Sequence, residues 1–161
     1  MPGFGAGQLE LSFEIGEGDI DVAHGHSRID MAKQLHQDGE GGLYGWEKAR
    51  TYSEVILVEG LFDYAALRQA GFHNVTCSLG THPNDTQFRQ LCEGERKVYV
   101  TFDVDQNQSG QQAAEQLARR LDRHGVSACR VVLPEGHDPN SFFVQGEDAH
   151  RFQSLLKAAQ P

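Results

Sequence analysis

Five carboxylates stand where the surrounding residues make a carboxylate conspicuous. Glu59 closes the apolar run Val55-Ile56-Leu57-Val58, and Asp63 follows four residues later. Asp103 and Asp105 close a second run that ends at Phe102, and Asp138 follows a third, in Gly136-His137-Asp138-Pro139. Short apolar runs of this kind read as strands buried on both faces. In a parallel sheet the strand ends of one edge lie side by side, and open α/β sheets bind their ligands at the carboxyl edge. Glu59, Asp103 and Asp105 can meet there although they are far apart in sequence. Converging acids repel one another unless a positive charge lies between them, and a hard divalent cation with oxygen ligands fills that role. Asp63 is one helical turn beyond Glu59 and can return to the same edge. Asp103 and Asp105 are two residues apart, so an extended backbone points both to one side.

Each acid taken singly has an ordinary explanation. Asp63 complements a helix dipole, Asp138-Pro139 is a turn signal, and Asp103 and Asp105 suit a solvated loop. Glu59, set between four aliphatic residues and a glycine, has no such explanation. Taken together at strand ends, the acids point to a metal site. Gly60, Gly80 and Gly110 follow the first, second and third strands, where glycine permits a sharp turn or close approach to a ligand. Ser78-Leu79-Gly80-Thr81 either offers N–H groups and a hydroxyl to a phosphate or forms a tight turn. The chain lacks GxxxxGK[ST], which excludes a P-loop NTPase. GxGxxG is missing after the first strand, which argues against a dinucleotide-binding fold.

The elements that must position these residues are legible from Val55 onward. Strands are expected at 55–58, 74–78, 97–102 and 127–133. Helices are expected near 62–70, 84–92, 110–123 and 148–159, with Pro83 at a first helical turn. Four strands alternating with helices define an α/β fold, a mainly parallel sheet covered on both faces. Residues 1–42 differ in texture. Leu9, Leu11, Phe13 and Ile15 alternate with Glu10, Ser12 and Glu14 as in a half-buried strand, and Ser27-Arg28-Ile29-Asp30 has the form of a capping box. We therefore divide the chain into an N-terminal appendage, 1–42, and a main domain, 43–161.

The bulk composition narrows the function. The chain has 161 residues and a net charge of −9, whereas a protein devoted to gripping a phosphate backbone is usually basic. Nucleic acid is then bound locally, through metal, or with a partner domain. The three cysteines read as small buried thiols and His24-Gly25-His26 as loop. No apolar run approaches the roughly 20 residues that span a bilayer, and the start resembles no signal peptide. A cytoplasmic protein without membrane contact is expected. Lys48 and Arg50 are candidates for a nucleic-acid track. Arg119, Arg120 and Arg123 read as dipole compensation near a helix end, and Tyr44 and Trp46 as a hydrophobic lead-in.

At these residues the chain resembles the Toprim domain in the version found in bacterial DnaG-type primases. The resemblance rests on Val58-Glu59-Gly60-Leu61-Phe62-Asp63, Leu79-Gly80-Thr81, Phe102-Asp103-Val104-Asp105 and Gly136-His137-Asp138-Pro139, with Leu43-Tyr44-Gly45 as lead-in. It covers about residues 43–145 and implies a Toprim-type, Rossmann-like fold. It implies that Glu59 acts as general acid or base, and that Asp103 and Asp105, with Asp63 and Asp138, bind Mg²⁺ or Mn²⁺. Gly60, Gly80, Thr81, Lys48 and Arg50 are the expected substrate and phosphate contacts. Two departures stand out. Gln106-Asn107-Gln108-Ser109 separates Asp105 from Gly110, and Asn140 replaces the last acid of Asp-Pro-Asp.

The resemblance implies nucleotidyl transfer in RNA primer synthesis for DNA replication, weak or absent in the isolated chain. Nucleotides and single-stranded DNA or an RNA/DNA hybrid are the expected ligands. A zinc-binding, polymerase-subdomain or helicase partner is expected, because no such module is visible beside the core. Two alternatives stand beside this one: a Toprim phosphodiesterase or nuclease using the same acids, and a non-catalytic nucleic-acid-binding module.

Overall fold

The computed structural model describes residues 41–104 and 109–159. The strand expected at Leu9–Ile15, the helix expected after Ser27, and Asp105 lie outside the described residues. Four strands form one sheet: β1 (Glu54–Val58), β2 (Val75–Cys77), β3 (Lys97–Thr101) and β4 (Ser127–Arg130). Their order across the sheet is β2-β1-β3-β4 and every pairing is parallel. The register sets Val58 beside Cys77 and Thr101, so the ends of β1, β2 and β3 are level at the carboxyl edge. The expected α/β architecture is the one observed.

Side-chain alternation within β1 explains why the sheet is covered on both sides. Val55 and Leu57 join a core with Trp46, Phe88, Leu91, Leu117 and Leu121. Ile56 and Val58 point the other way, into a core with Tyr64, Leu67, Phe142 and Phe152. Helices α1 (Trp46–Ala49), α3 (Asp85–Leu91) and α4 (Ser109–Arg123) therefore cover one face. Helices α2 (Leu61–Gln69), α5 (Pro139–Val144) and α6 (Ala149–Ala158) cover the other. None of the described helices is long and apolar enough to cross a membrane.

Two short helices go beyond the sequence expectation. In α1, Trp46 and Ala49 are buried, which fixes the segment leading into β1. Helix α5 begins where a plain turn was expected: Asp138 is its N-cap, Pro139 occupies the first turn, and Ser141 completes a reciprocal capping box. The fourth strand is shorter than expected. Val131 N–H still reaches Val100 O at 2.9 Å, but the chain then turns away toward Pro134. At the β2 edge Tyr44 and Cys77 exchange two backbone hydrogen bonds, of 2.9 and 3.1 Å, in an antiparallel bridge.

Candidate metal centre

Asp63 is the third residue of α2, and its carboxylate is held from two directions. Oδ2 accepts the Gly60 N–H at 3.2 Å, the return half of a capping box. Oδ1 accepts the N–H of Asn140, in α5, at 3.1 Å. A Cβ at position 60 would stand 2.8 Å from Asp63 Oδ2, so a side chain there would displace the carboxylate. The side chain is thereby buried, at 6% exposure. Asp103 directly follows the β3 end and its Phe102. Its backbone is crowded by α4: a Cβ on Gly110 would come 2.5 Å from the Asp103 carbonyl oxygen. A glycine there lets the long helix start against the strand end. Asp138 caps α5 by accepting the Ser141 N–H through Oδ1. Val104 N–H donates to His137 O at 3.1 Å and ties the β3 end to this segment.

These three constraints bring Asp63, Asp103 and Asp138 together, each presenting a carboxylate oxygen within 4.8 Å of the others. Burial pushes the Asp63 carboxyl up from 3.8 to about 6. The charges of Asp103 and Asp138 push the same way, against the pull of the Asn140 and Gly60 N–H groups. Three acids from three segments thus hold mutual repulsion in a partly dry place, the electrostatic condition that a divalent cation relieves.

Glu59 stands beside this group and outside the 4.8 Å set. Its carbonyl oxygen accepts the Gly80 N–H at 3.1 Å and the Cys77 thiol at 3.2 Å, so the ends of β1 and β2 are locked together. Burial pushes that thiol up to about 12, with the Asp63 and Glu59 charges adding to the effect. Cys77 is accordingly an inert donor. In the loop after β2, Leu79 adopts φ 58°, and Ser78 Oγ lies 2.6 Å from Gly80 O and 3.2 Å from Val58 O. The N–H groups of Gly60 and Gly80 are therefore both engaged within the protein, and Thr81 Oγ1 lies 2.8 Å from His82 Nδ1.

The basic candidates lie elsewhere. Lys48 and Arg50 belong to the α1 region. Arg50 pairs with Glu47 at 3.6 Å and acts on Arg96, just before β3, at the sheet's opposite edge. In α4, Arg119 pairs with Glu115 at 2.6 Å, Arg120 covers the Phe88 ring at 3.8 Å, and Arg123 donates to Arg119 O. The backbone N–H of Asn140 and the capping role of Asp138 were not foreseen. Their signal was available in Asp138-Pro139-Asn140-Ser141, a cap residue followed by proline at the first helical position.

A parallel sheet with an acidic cluster at its carboxyl edge defines the class: an α/β protein with a candidate cation site at its strand ends. The match to known families is specific. Residues 56–143 match the model of a family described as Toprim-like. The chain belongs to that family, in the branch of the bacterial primase Toprim domains. It is 33% identical over 141 residues to the DNA primase of Aquifex aeolicus, covering 79% of this chain and 28% of that one. The crystal structure of the Aquifex aeolicus primase, described as its zinc-binding and RNA polymerase domains, superposes with a TM-score of 0.65. The identity is 31%, over 74% of this chain and 30% of that one. A DnaG primase catalytic domain bound to single-stranded DNA gives a TM-score of 0.62 at 26% identity, covering 74% of this chain and 40% of that one. The chain thus spans less than a third of the curated primase it matches.

Proposed function

We propose that the chain is a divalent-metal-dependent, primase-like domain that performs nucleotidyl transfer in RNA primer synthesis. The observation that carries this reading is the convergence of Asp63, Asp103 and Asp138 at the carboxyl edge of a primase-type Toprim sheet. An all-carboxylate donor set suits Mg²⁺ or Mn²⁺. The three carboxylates, gathered within 4.8 Å of one another, are close enough for side-chain adjustment to bring them onto one cation. The three aspartates, joined by Asp105, would hold the cation. Bound there, it would neutralise triphosphate charge and polarise the α-phosphorus.

The chain's own residues do the rest. Glu59, anchored through its backbone, takes the proton of the attacking 3′-hydroxyl. The 3′-oxygen bonds to the α-phosphorus, and pyrophosphate leaves with its own electron pair. Gly60 and Gly80 shape the phosphate side of the edge, and Thr81 borders it with its hydroxyl against His82. Lys48 and Arg50 form part of a template track away from the metal. A net charge of −9 leaves most of the grip on single-stranded DNA or an RNA/DNA hybrid to a partner. The chain covers 40% of a DnaG catalytic domain described as bound to single-stranded DNA and 30% of the zinc-binding and RNA polymerase domains of the Aquifex aeolicus primase, which leaves room for such partners. A zinc-binding, polymerase or helicase partner is proposed, and primer synthesis by the domain 43–161 alone is weak.

Labelled single-stranded DNA, four NTPs and Mg²⁺ or Mn²⁺ test the reading, with Glu59→Gln as control. New short RNA or extended strands, lost in the variant, are expected. Shortened DNA would replace transfer by phosphodiester hydrolysis. A metal-bound but chemically silent protein, unchanged by Glu59→Gln, would make it a binding module.

A further inference from the structure

A second feature of the carboxyl edge lies on the β2 side of Glu59. Leu79 is the one non-glycine residue with positive φ among the described residues, at 58°, and it is 46% exposed. A left-handed leucine costs about 1–2 kcal/mol, and a half-exposed side chain does not recover that energy through core packing. Strain held at a ligand-binding edge, without packing to offset it, is the mark of a functional contact.

Leu79 borders a cleft of about 310 Å³, walled also by Tyr44, Ser78, His82 and Asn84. That volume falls at the lower end of small-molecule sites, roughly 300–1,000 Å³. Most polar atoms of the wall are already engaged. Asn84 Nδ2 donates to Gly41 O at 2.7 Å, Gln87 Nε2 donates to Ser78 O at 2.9 Å, and Ser78 Oγ reaches Gly80 O. The exception is His82. Thr81 Oγ1 lies 2.8 Å from its Nδ1 and orients the exposed ring. When the threonine hydroxyl donates to Nδ1, Nε2 carries the proton and becomes a donor. The cleft therefore offers a mixed lining with one exposed aliphatic side chain, Leu79, and one directed N–H. Such a surface suits the flat apolar face and acceptor-rich edge of a nucleobase, and suits an anion poorly.

The loop that carries Leu79 is rigidly joined to the catalytic strand through Gly80 N–H and Glu59 O, at 3.1 Å. We propose that this cleft is the nucleoside subsite of the domain. The base lies against Leu79 with His82 at its edge, and the phosphates extend past Glu59 toward the aspartates. This inference rests on the nucleotide-handling reading above and adds where the nucleoside sits.

Calorimetric titration of the full chain in Mg²⁺ with ATP and with inorganic tripolyphosphate separates the two claims. In the wild type, ATP binds tighter than tripolyphosphate. Leu79→Gly, which suits the left-handed backbone and so preserves the fold, weakens ATP about five- to twentyfold and leaves tripolyphosphate unchanged. His82→Ala weakens ATP about two- to tenfold. Equal affinities for ATP and tripolyphosphate in the wild type would overturn the subsite and spare the metal-site reading. An unchanged ATP affinity in Leu79→Gly would do the same. Failure of both ligands to bind would overturn that reading and the subsite with it.

Discussion

At the amino edge of the sheet, charges are matched by neighbours. The Glu54 carboxylate accepts the Tyr99 hydroxyl at 3.3 Å, and the Lys97 ammonium lies over the same ring at 4.7 Å. Arg96 covers Trp46 at 4.8 Å and donates through Nε to Glu93 O at 2.7 Å, although its Nη1 is buried with no hydrogen-bond partner. At the carboxyl edge, one strand length away, Asp63, Asp103 and Asp138 face one another, and Asp63 is held near 6 by burial and by the other two. The strands between are equally apolar, so the contrast does not come from the core. An edge that serves stability distributes opposite charges and aromatic rings. The carboxyl edge keeps its repulsion among the three aspartates.

The largest expected effect tests whether the carboxyl edge is chemical at all. Glu59→Gln should lower metal-dependent product formation by about 10²–10⁴-fold, the usual range for a general acid or base, with little change in metal affinity. Asp103→Asn should abolish the rise in thermal midpoint that the wild type shows on Mg²⁺ titration, about 2.7 kcal/mol at one hundred times Kd. A wild type that Mg²⁺ does not stabilise would remove the contrast between the edges.

The second effect uses protons in place of metal. The Asp63 carboxyl sits at about 6 in the fold and at 3.8 ordinarily, so between these values the folded state binds more protons than the unfolded one. Its contribution to stability is full below about pH 4 and is lost as pH rises through about 6. Metal-free protein should therefore gain on the order of 2–3 kcal/mol from this group as pH falls across that window. Metal affinity should weaken over the same range, because proton and cation compete. Denaturant midpoints measured at several pH values, with Asp63→Asn as control, check this: the variant should lose the rise. A wild type flat across the window would show that the aspartates are not crowded as described.

The third effect concerns how the edge is assembled. Gly110→Ala would place a Cβ against the Asp103 carbonyl oxygen, a backbone atom that cannot swing aside. The start of α4 must shift, destabilising the chain by about 1–3 kcal/mol and moving Asp103 relative to its partners. Thermal unfolding with and without Mg²⁺ should show a lower midpoint and a smaller metal-induced rise. A lower midpoint with a full metal response would confine the role of Gly110 to packing.

The contrast also explains what the sequence made legible. Apolar runs such as Val55–Val58 announce buried parallel strands because burial on both faces demands them, and acids after such runs announce the edge. The sequence does not show which acids meet. Spacing lets Glu59, Asp63, Asp103, Asp105 and Asp138 all share the edge; among the described residues Asp63, Asp103 and Asp138 converge, and Glu59 stands outside that set. Asp63 turns inward because the Gly60 and Asn140 N–H groups hold both its oxygens, and the second of these belongs to a helix 77 positions away. That helix was hidden because Asp-Pro signals a turn as readily as an N-cap. Leu79 was equally hidden, since nothing in Ser78-Leu79-Gly80 indicates which residue takes the left-handed backbone.

The smallest expected effect sharpens the contrast from the amino edge. Arg50 is exposed, pairs with Glu47, and acts on Arg96 at the far end of the strands from the aspartates. An exposed pair of this kind contributes roughly 0–1 kcal/mol, so Arg50→Ala should barely move the unfolding midpoint. Its Mg²⁺ response and its pH profile should match the wild type, because its charge lies beyond a Debye length of about 8–10 Å and is screened. If Arg50 meets a template phosphate, the slope of log affinity for single-stranded DNA against log salt should become shallower by about 0.7, the share of one contact. Fluorescence anisotropy of a labelled oligonucleotide across a salt series reads that slope. An unchanged slope would remove Arg50 from the track. A weakened Mg²⁺ response would mean that the two edges are electrostatically one site, with the amino edge's cations helping to hold the aspartates in their charged state.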